Sequence, residues 1–349
     1  MNSTYPMFRR AAHVTASLAL GSVMAASFPL NAFAETNEVR FAYQPGLLYL
    51  PDQVVLSQKF VEKHAKKAGL GDVKVTSTRL SGGAVVNDAL LSGSVDFVTG
   101  GIAPLLKIWD RTKGGNEVKA VISVSNMAVK FVTNDPRVKS IRDYAGITDH
   151  KIAIPAIKTS FQATALQMAA EKAFGPDALN KLDALTVSVP HPQALASLFS
   201  GKSEIKSHGS TLPFTYQELK AKDKNIRLVF SSYDINGPHT TVVLYAARKW
   251  KEQNPKLFKA VFDAYVEAHQ WINADLKRAA KLFKDFTNSK LDLADLEAMV
   301  SDKSELQYSM SPMGTMKFAE FMHRTGSLDN KPTSWKDYYW DVSHGLSGD

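Results

Sequence analysis

From Glu38 the residues EVRFAYQ alternate, with Val39, Phe41 and Tyr43 apolar between polar neighbours, and Pro45-Gly46 ends the run. A period of two closed by turn residues predicts a half-buried strand. A helical stretch follows from about Pro51 to Lys67, Gly69 and Gly71 close it, and VKVTSTR resumes strand character. Ser81-Gly82-Gly83 then opens a second helix, AVVNDALLS, with Gly93 placed as its left-handed stop. The apolar strand VDFVTGG leads through Gly100-Gly101 to Pro104, which suits a first helical turn. Strands alternating with helices across Gly-rich turns predict an α/β fold with a parallel sheet.

The second half contains a faint copy of this pattern. Ala89 to Gly101 aligns without gaps on Ser197 to Gly209, 108 residues later, matching Ser92-Gly93 to Ser200-Gly201 and Gly101 to Gly209. Upstream, Ser81-Gly82-Gly83 corresponds to Val189-Pro190-His191, each opening a helix. Two related α/β lobes follow from this repeat. The extended runs AVISVSNMAVKFVTN and TTVVLYAAR flank the second copy, so the chain is expected to leave lobe 1 and later return, joining the lobes by a two-strand hinge. The expected division is 35–127 and 246–349 for lobe 1 and 128–245 for lobe 2. After the second crossing, Leu257, Phe258, Val261, Phe262, Tyr265 and Ile272 form one apolar stripe of a core helix. Further helices are expected about Leu291 to Val300 and Pro312 to Arg324.

Residues 1–34 fall outside this plan. They hold no acidic residue, carry Arg9 and Arg10 before an apolar stretch, and end in Ala32-Phe33-Ala34, the three regions of a cleaved signal peptide. His13, Thr15, Ser17, Ser22 and Ser27 interrupt the stretch too often for a membrane anchor. The expected product is exported to the periplasm. Its formal charge drops from +8 to +6 with the loss of the two arginines. A chain of 349 residues with 44% hydrophobic and 22% charged residues is of ordinary globular composition. With no cysteine, disulfides, thiolate metal sites, cysteine nucleophiles and a lipid anchor on cysteine are excluded.

The charge suggests nucleic acid, an acidic surface or an anionic ligand. Lys63, Lys66 and Lys67 sit on a solvated helix face beside Glu62 rather than in an aromatic-laced basic stripe, which argues against nucleic acid. Gly201-Lys202-Ser203 lacks the glycine that a phosphate loop needs at Ala196. No zinc pair, calcium loop or nucleophile elbow occurs, so neither metal nor cofactor is expected. What remains is a set of polar turns at helix N-termini: Ser81-Gly82-Gly83, Thr99-Gly100-Gly101, Thr159-Ser160-Phe161-Gln162 and His208-Gly209-Ser210. Free N–H groups at such turns, at the carboxyl ends of strands, form an anion site in open α/β sheets. Thr159 with Gln162 also spells a capping box, which would use the same N–H groups. His191, His208 and His239 are candidate donors to the same cleft, and Tyr43 or Tyr233 could stack on a neutral ring.

The segments FAYQPG, RLSGGAVVNDALLSGSVDFVTGGIAP, AIKTSFQATALQMA, SVPHPQALASLFSGKSEIKSHGSTLPF and GPHTTVVLYAARKW together resemble the solute-binding proteins of ABC importers. The branch they resemble is the nitrate, sulfonate and taurine type, also called NMT1/THI5-like. The resemblance implies a type II periplasmic-binding-protein fold, a monomer whose two lobes close over one small ligand, and docking on an inner-membrane permease. It places ligand contacts at Tyr43, Gln44, Ser81, Gly82, Thr99, Gly100, Thr159 and Ser160, with Gly83 and Gly101 completing two of the turns. Relatives often carry Trp-Asp-Pro where this chain has Ser207-His208-Gly209-Ser210, so the resemblance does not fix the identity of the ligand. A small organic anion with a sulfonate or carboxylate head is the expected ligand. The alternatives are a neutral heteroaromatic such as a thiamine-precursor pyrimidine, or pyrimidine synthesis itself, which in the related enzymes goes with a cysteine-rich iron motif that this chain lacks.

Overall fold

The structure, a computed structural model, describes residues 34–80 and 82–349. Residues 1–33, all but the last residue of the expected signal peptide, and Ser81 therefore lie outside the described residues. Lobe 1 begins with β1 (Glu38–Tyr43), α1 (Leu50–Ser57), α2 (Phe60–Lys67), β2 (Lys74–Arg79), α3 (Gly83–Leu91), β3 (Phe97–Gly101), α4 (Ile102–Thr112) and β4 (Val118–Met127). The chain crosses at Ala128-Val129 into β5 (Lys130–Thr133), β6 (Lys151–Ile154), α5 (Phe161–Phe174), β7 (Thr186–Ser188), α6 (His191–Ser200), β8 (Ile205–Ser210), α7 (Phe214–Lys220), β9 (Arg227–Ser231) and α8 (Ser232–Asn236). It returns through Gly237-Pro238-His239 into β10 (Thr240–Ala247), α9 (Arg248–Gln253), α10 (Pro255–Ala274), α11 (Leu276–Thr287), α12 (Leu293–Ser301), β11 (Leu306–Gln307) and α13 (Thr315–Arg324).

The strands form a six-stranded sheet in the order β11-β4-β10-β3-β1-β2 and a five-stranded sheet in the order β7-β6-β8-β5-β9. Each has a parallel trio, β2-β1-β3 in one and β7-β6-β8 in the other, followed by one antiparallel strand from beyond a crossing. This shared order is that of a mixed α/β, two-lobed fold of the type II binding-protein kind. The internal repeat coincides with it: α6 begins 108 residues after α3, and β8 begins 108 residues after β3. The lobe boundary expected after residue 245 falls inside β10, all of which pairs with β3 and β4. The return crossing is at Gly237–His239.

Sheet alternation decides which residues are left for the cleft. Val39, Phe41 and Tyr43 of β1 all join the core beneath α1, α10 and α11, together with Val54, Val261, Tyr265 and Phe283. Phe41 stacks on Phe97 at 5.4 Å. The other sheet face packs on α3, α4 and α13, and this core runs on into lobe 2 through Phe161, Phe131 and Ile154. The helix expected over 51–67 is two helices, because Lys59 adopts a left-handed conformation (φ 53°) and breaks it.

Candidate functional site

The carboxyl ends of both parallel trios meet at one place. β1 exits into Gln44-Pro45, β3 runs through Gly100-Gly101 into α4, β6 leads by Pro155 to Ser160 at the head of α5, and β7 leads to His191 at the head of α6. Between them lies a cavity of about 40 Å³ walled by Gln44, Leu48, Tyr49, Gly101 and Pro104 of lobe 1 and by Pro155, Ser160, Phe161, Gln162, His191 and Thr211 of lobe 2, with Thr241 and Val242 of β10. That volume holds roughly three water-sized bodies, at about 10–15 Å³ each. The lobes touch around it. A Cβ on Gly82 would sit 3.1 Å from the Pro155 carbonyl oxygen, and the Leu47 N–H donates to the Leu212 carbonyl at 3.1 Å.

Of the residues singled out in the sequence, Gln44, Gly101, Ser160 and His191 line the cavity. Gln44 Oε1 accepts from the Gly82 N–H at 3.2 Å, so one free donor at the start of α3 is taken by the side chain beside it. Gly82 has φ 101° and caps α3, where Gly83 begins the helix. The cap of α5 is Ser160, whose Oγ accepts from the Ala163 N–H at 3.2 Å; the box expected from Thr159 and Gln162 does not form. Thr159 turns back on the Ile157 carbonyl and Gln162 is left to face the cavity.

The remaining candidates are placed elsewhere. Tyr43 points into the core under the sheet, as its period-two neighbours do. Thr99 points the same way: its hydroxyl donates to Asp52 Oδ1, which also accepts from the Tyr265 hydroxyl at 2.6 Å. Asp52 Oδ2 has no partner, and burial pushes this carboxyl up to about 7. Gly100 makes room for a neighbour, since a Cβ there would lie 2.7 Å from the Tyr245 hydroxyl. His239 is buried at the return crossing between Phe161, Tyr233 and Phe318, with Nε2 2.9 Å from Ser232 Oγ; burial lowers it to about 3, so it is neutral. Tyr233 packs on His239, and the aromatic walls of the cavity are Tyr49 and Phe161 instead.

His208 lies behind His191. His191 Nδ1 is 2.7 Å from His208 Nε2, and His208 Nδ1 is 2.6 Å from Glu218 Oε1 on α7. His208 and Glu218 are fully buried, and burial with the neighbouring His208 holds His191 well below the ordinary imidazole range. His191 Nε2 turns to the cavity, 3.4 Å from both Gln162 Nε2 and Thr211 Oγ1. The described lining residues include no Lys, Arg, Asp or Glu, so the basic net charge does not reach the cavity through side chains. The N-termini of α5 and α6, which open onto it, are what would favour an anion there. Among the described residues no cluster of three or more His, Asp or Glu side chains could hold a metal ion, and no helix is long and apolar enough to cross a membrane.

Solved structures share this architecture. The alkanesulfonate-binding protein SsuA from Xanthomonas axonopodis pv. citri, bound to MOPS, superimposes with a TM-score of 0.65 at 16% identity, covering 88% of this chain and 99% of its own. The periplasmic nitrate-binding protein NrtA from Synechocystis PCC 6803 gives 0.65 at 17% identity, covering 87% and 84%. A Candida albicans gene product described as exhibiting the generic periplasmic binding protein structural fold gives 0.61 at 14% identity, covering 89% and 99%. No curated protein sequence matches the chain. At such identities the likeness is one of fold, and it is the sequence profile of the NMT1-like family, matching residues 32–284, that places the chain: it belongs to that family.

Proposed function

We propose that the protein is the solute-binding component of an ABC importer, exported by its N-terminal segment to the periplasm as a monomer and delivering its ligand to a membrane permease without chemical change. The carrying observation is a cavity walled by both lobes, onto which two helix N-termini and the polar groups of Gln44, Gln162, His191 and Thr211 converge with no acidic side chain among the described lining residues. Such a site takes a small anion: nitrate, or the head of a sulfonate or carboxylate. The proteins of like fold whose descriptions give sulfonate and nitrate as ligands support the reading. About 40 Å³ suits a compact oxoanion with the lobes as they stand, while a longer tail or a pyrimidine ring needs them parted. Binding then proceeds by hinge opening, capture and closure. Gln44, Gly101, Ser160, Gln162 and His191 are the proposed contacts.

Thermal unfolding of the exported form against nitrate, methanesulfonate, taurine, acetate and an aminopyrimidine tests this. A ligand at 100 times its Kd stabilises by about 2.7 kcal/mol. Stabilisation by at least one anion is the expected result; a shift with the pyrimidine alone would refute the anion reading.

A further inference from the structure

We propose that Glu218, acting through His208, fixes His191 as a hydrogen-bond donor toward the cleft, so that a residue outside the cavity selects ligands with acceptor oxygens. The inference rests on the reading of the cleft as the ligand site, and deepens it.

The chain of contacts admits only a few proton arrangements. One proton fits between the two imidazoles at 2.7 Å, and one between His208 Nδ1 and Glu218 at 2.6 Å. If Glu218 is ionised and His208 is an imidazolium, His208 Nε2–H donates to His191 Nδ1, and the ring proton of His191 must sit on Nε2, facing the cavity. If the proton moves onto Glu218, its O–H donates to His208 Nδ1, His208 Nε2–H still donates to His191 Nδ1, and Nε2–H still faces the cavity. Both arrangements leave the trio with no net charge and present a donor. Only with one proton fewer does His208 Nε2 become an acceptor, take the proton of His191 Nδ1–H and turn a lone pair on His191 Nε2 toward the cleft.

That last state leaves a carboxylate in the protein interior with one neutral donor and no cation beside it. Glu218 and His208 are both fully buried, the second carboxylate oxygen of Glu218 has no partner, and His208 is the sole basic side chain within ion-pair distance of Glu218 among the described residues. A buried anion without a cation beside it is strongly disfavoured, which favours the arrangements with no net charge. His191 Nε2–H then faces the Gln162 side-chain amide and the Thr211 hydroxyl, each 3.4 Å away, and the amide meets that N–H through its oxygen, with its NH2 turned aside. Phe214 stacks on the His191 ring at 5.4 Å and holds its plane. A His191 N–H held toward the cleft disfavours a cationic or donor-rich ligand and favours an oxyanion.

Nitrogen NMR of the labelled exported protein reads the tautomer directly, with His191 assigned by the loss of its signals in His191→Gln. A proton on Nε2 and a bare Nδ1 are expected; the opposite tautomer overturns the proposal. In Glu218→Gln the amide can either accept from or donate to His208 Nδ1 at equal charge, so His191 should show a mixture of both tautomers. An unmixed Nε2–H signal in that variant would show that Glu218 does not set it. If the donor form falls to half, calorimetry should find methanesulfonate or nitrate bound about two-fold more weakly. Absence of binding by every anion of the panel to the unmodified protein would sink the anion-receptor reading, while the spectrum still decides the tautomer.

Discussion

Replacing Asp52 by Asn isolates a buried charge that the fold tolerates poorly. The carboxyl sits beneath the cleft, with Oδ1 accepting from the hydroxyls of Thr99 and Tyr265 and Oδ2 unpartnered. Burial raises it from 3.8 to about 7. The folded protein thus holds this proton about three powers of ten more tightly than the unfolded chain, worth about 4 kcal/mol at about 1.4 kcal/mol per power of ten. The raised value fixes the sign. The contribution is fully present below about pH 4, where both states are protonated, and is lost progressively until about pH 7, above which the folded state carries a buried anion. Asn keeps an acceptor for both hydroxyls and cannot ionise. The stability of the native protein relative to Asp52→Asn should therefore fall by about 4 kcal/mol between about pH 4 and pH 7 and be flat above, measured by urea unfolding at each pH. A difference that stays constant across that window would show that the carboxyl is not held alone in the interior, and the argument would fail.

Two further substitutions probe the cleft. Gly101→Leu uses an ordinary extended backbone (φ −64°, ψ 152°), but its Cβ would already lie 3.2 Å from Phe161 Cβ and its remaining carbons would fill the cavity of about 40 Å³. It should abolish ligand-induced stabilisation, with a stability loss of about 1–3 kcal/mol from overpacking; unaltered binding would move the site elsewhere. Gly82→Ala places a side chain at φ 101° and 3.1 Å from the Pro155 carbonyl oxygen across the cleft. Strain of about 1–3 kcal/mol is expected, and small-angle scattering should show a more open particle; an unchanged profile would mean that the lobes do not close on this edge.

The strands and the two-lobe plan were legible because they depend on local rules. Alternation in EVRFAYQ, the Gly-closed helix AVVNDALLS and a repeat of 108 residues each mark an element without reference to the rest of the chain. The turns at the heads of α5 and α6 were legible for the same reason. Which side chain of a turn faces the cleft was not. Thr99 and Gly100 are adjacent, yet one answers to Asp52 on α1 and the other to Tyr245 on β10, partners remote in sequence. Period-two reasoning extended one step would have found the fault with Tyr43, since Val39 and Phe41 already assign its face to the core. Leu48, Tyr49 and Pro155 reach the cavity from connecting segments that carry no periodic signal. Glu218 lies ten residues past His208, and nothing short of the β8–α7 turn brings them together.

The interlobe contacts are of the kind that a modest ligand can govern. Arg324 of α13 forks onto Glu171 of α5 at 2.7 and 2.8 Å, and Lys220 of α7 meets Asp295 of α12 at 2.7 Å, each with one partner more than half exposed. Solvent-exposed pairs contribute about 0–1 kcal/mol apiece, so these latches do not lock the cleft. Beside the return crossing the contacts are apolar and buried: Phe161 lies 4.9 Å from Phe318, with neutral His239 5.1 Å from Phe161. A micromolar ligand brings about 8 kcal/mol, well above what the exposed pairs supply. On the proposed reading, opening would break the weak pairs and the Gly82 edge while the Phe161 cluster stayed packed as the pivot, and closure would be decided by what His191 and its polar neighbours Gln162 and Thr211 find between them.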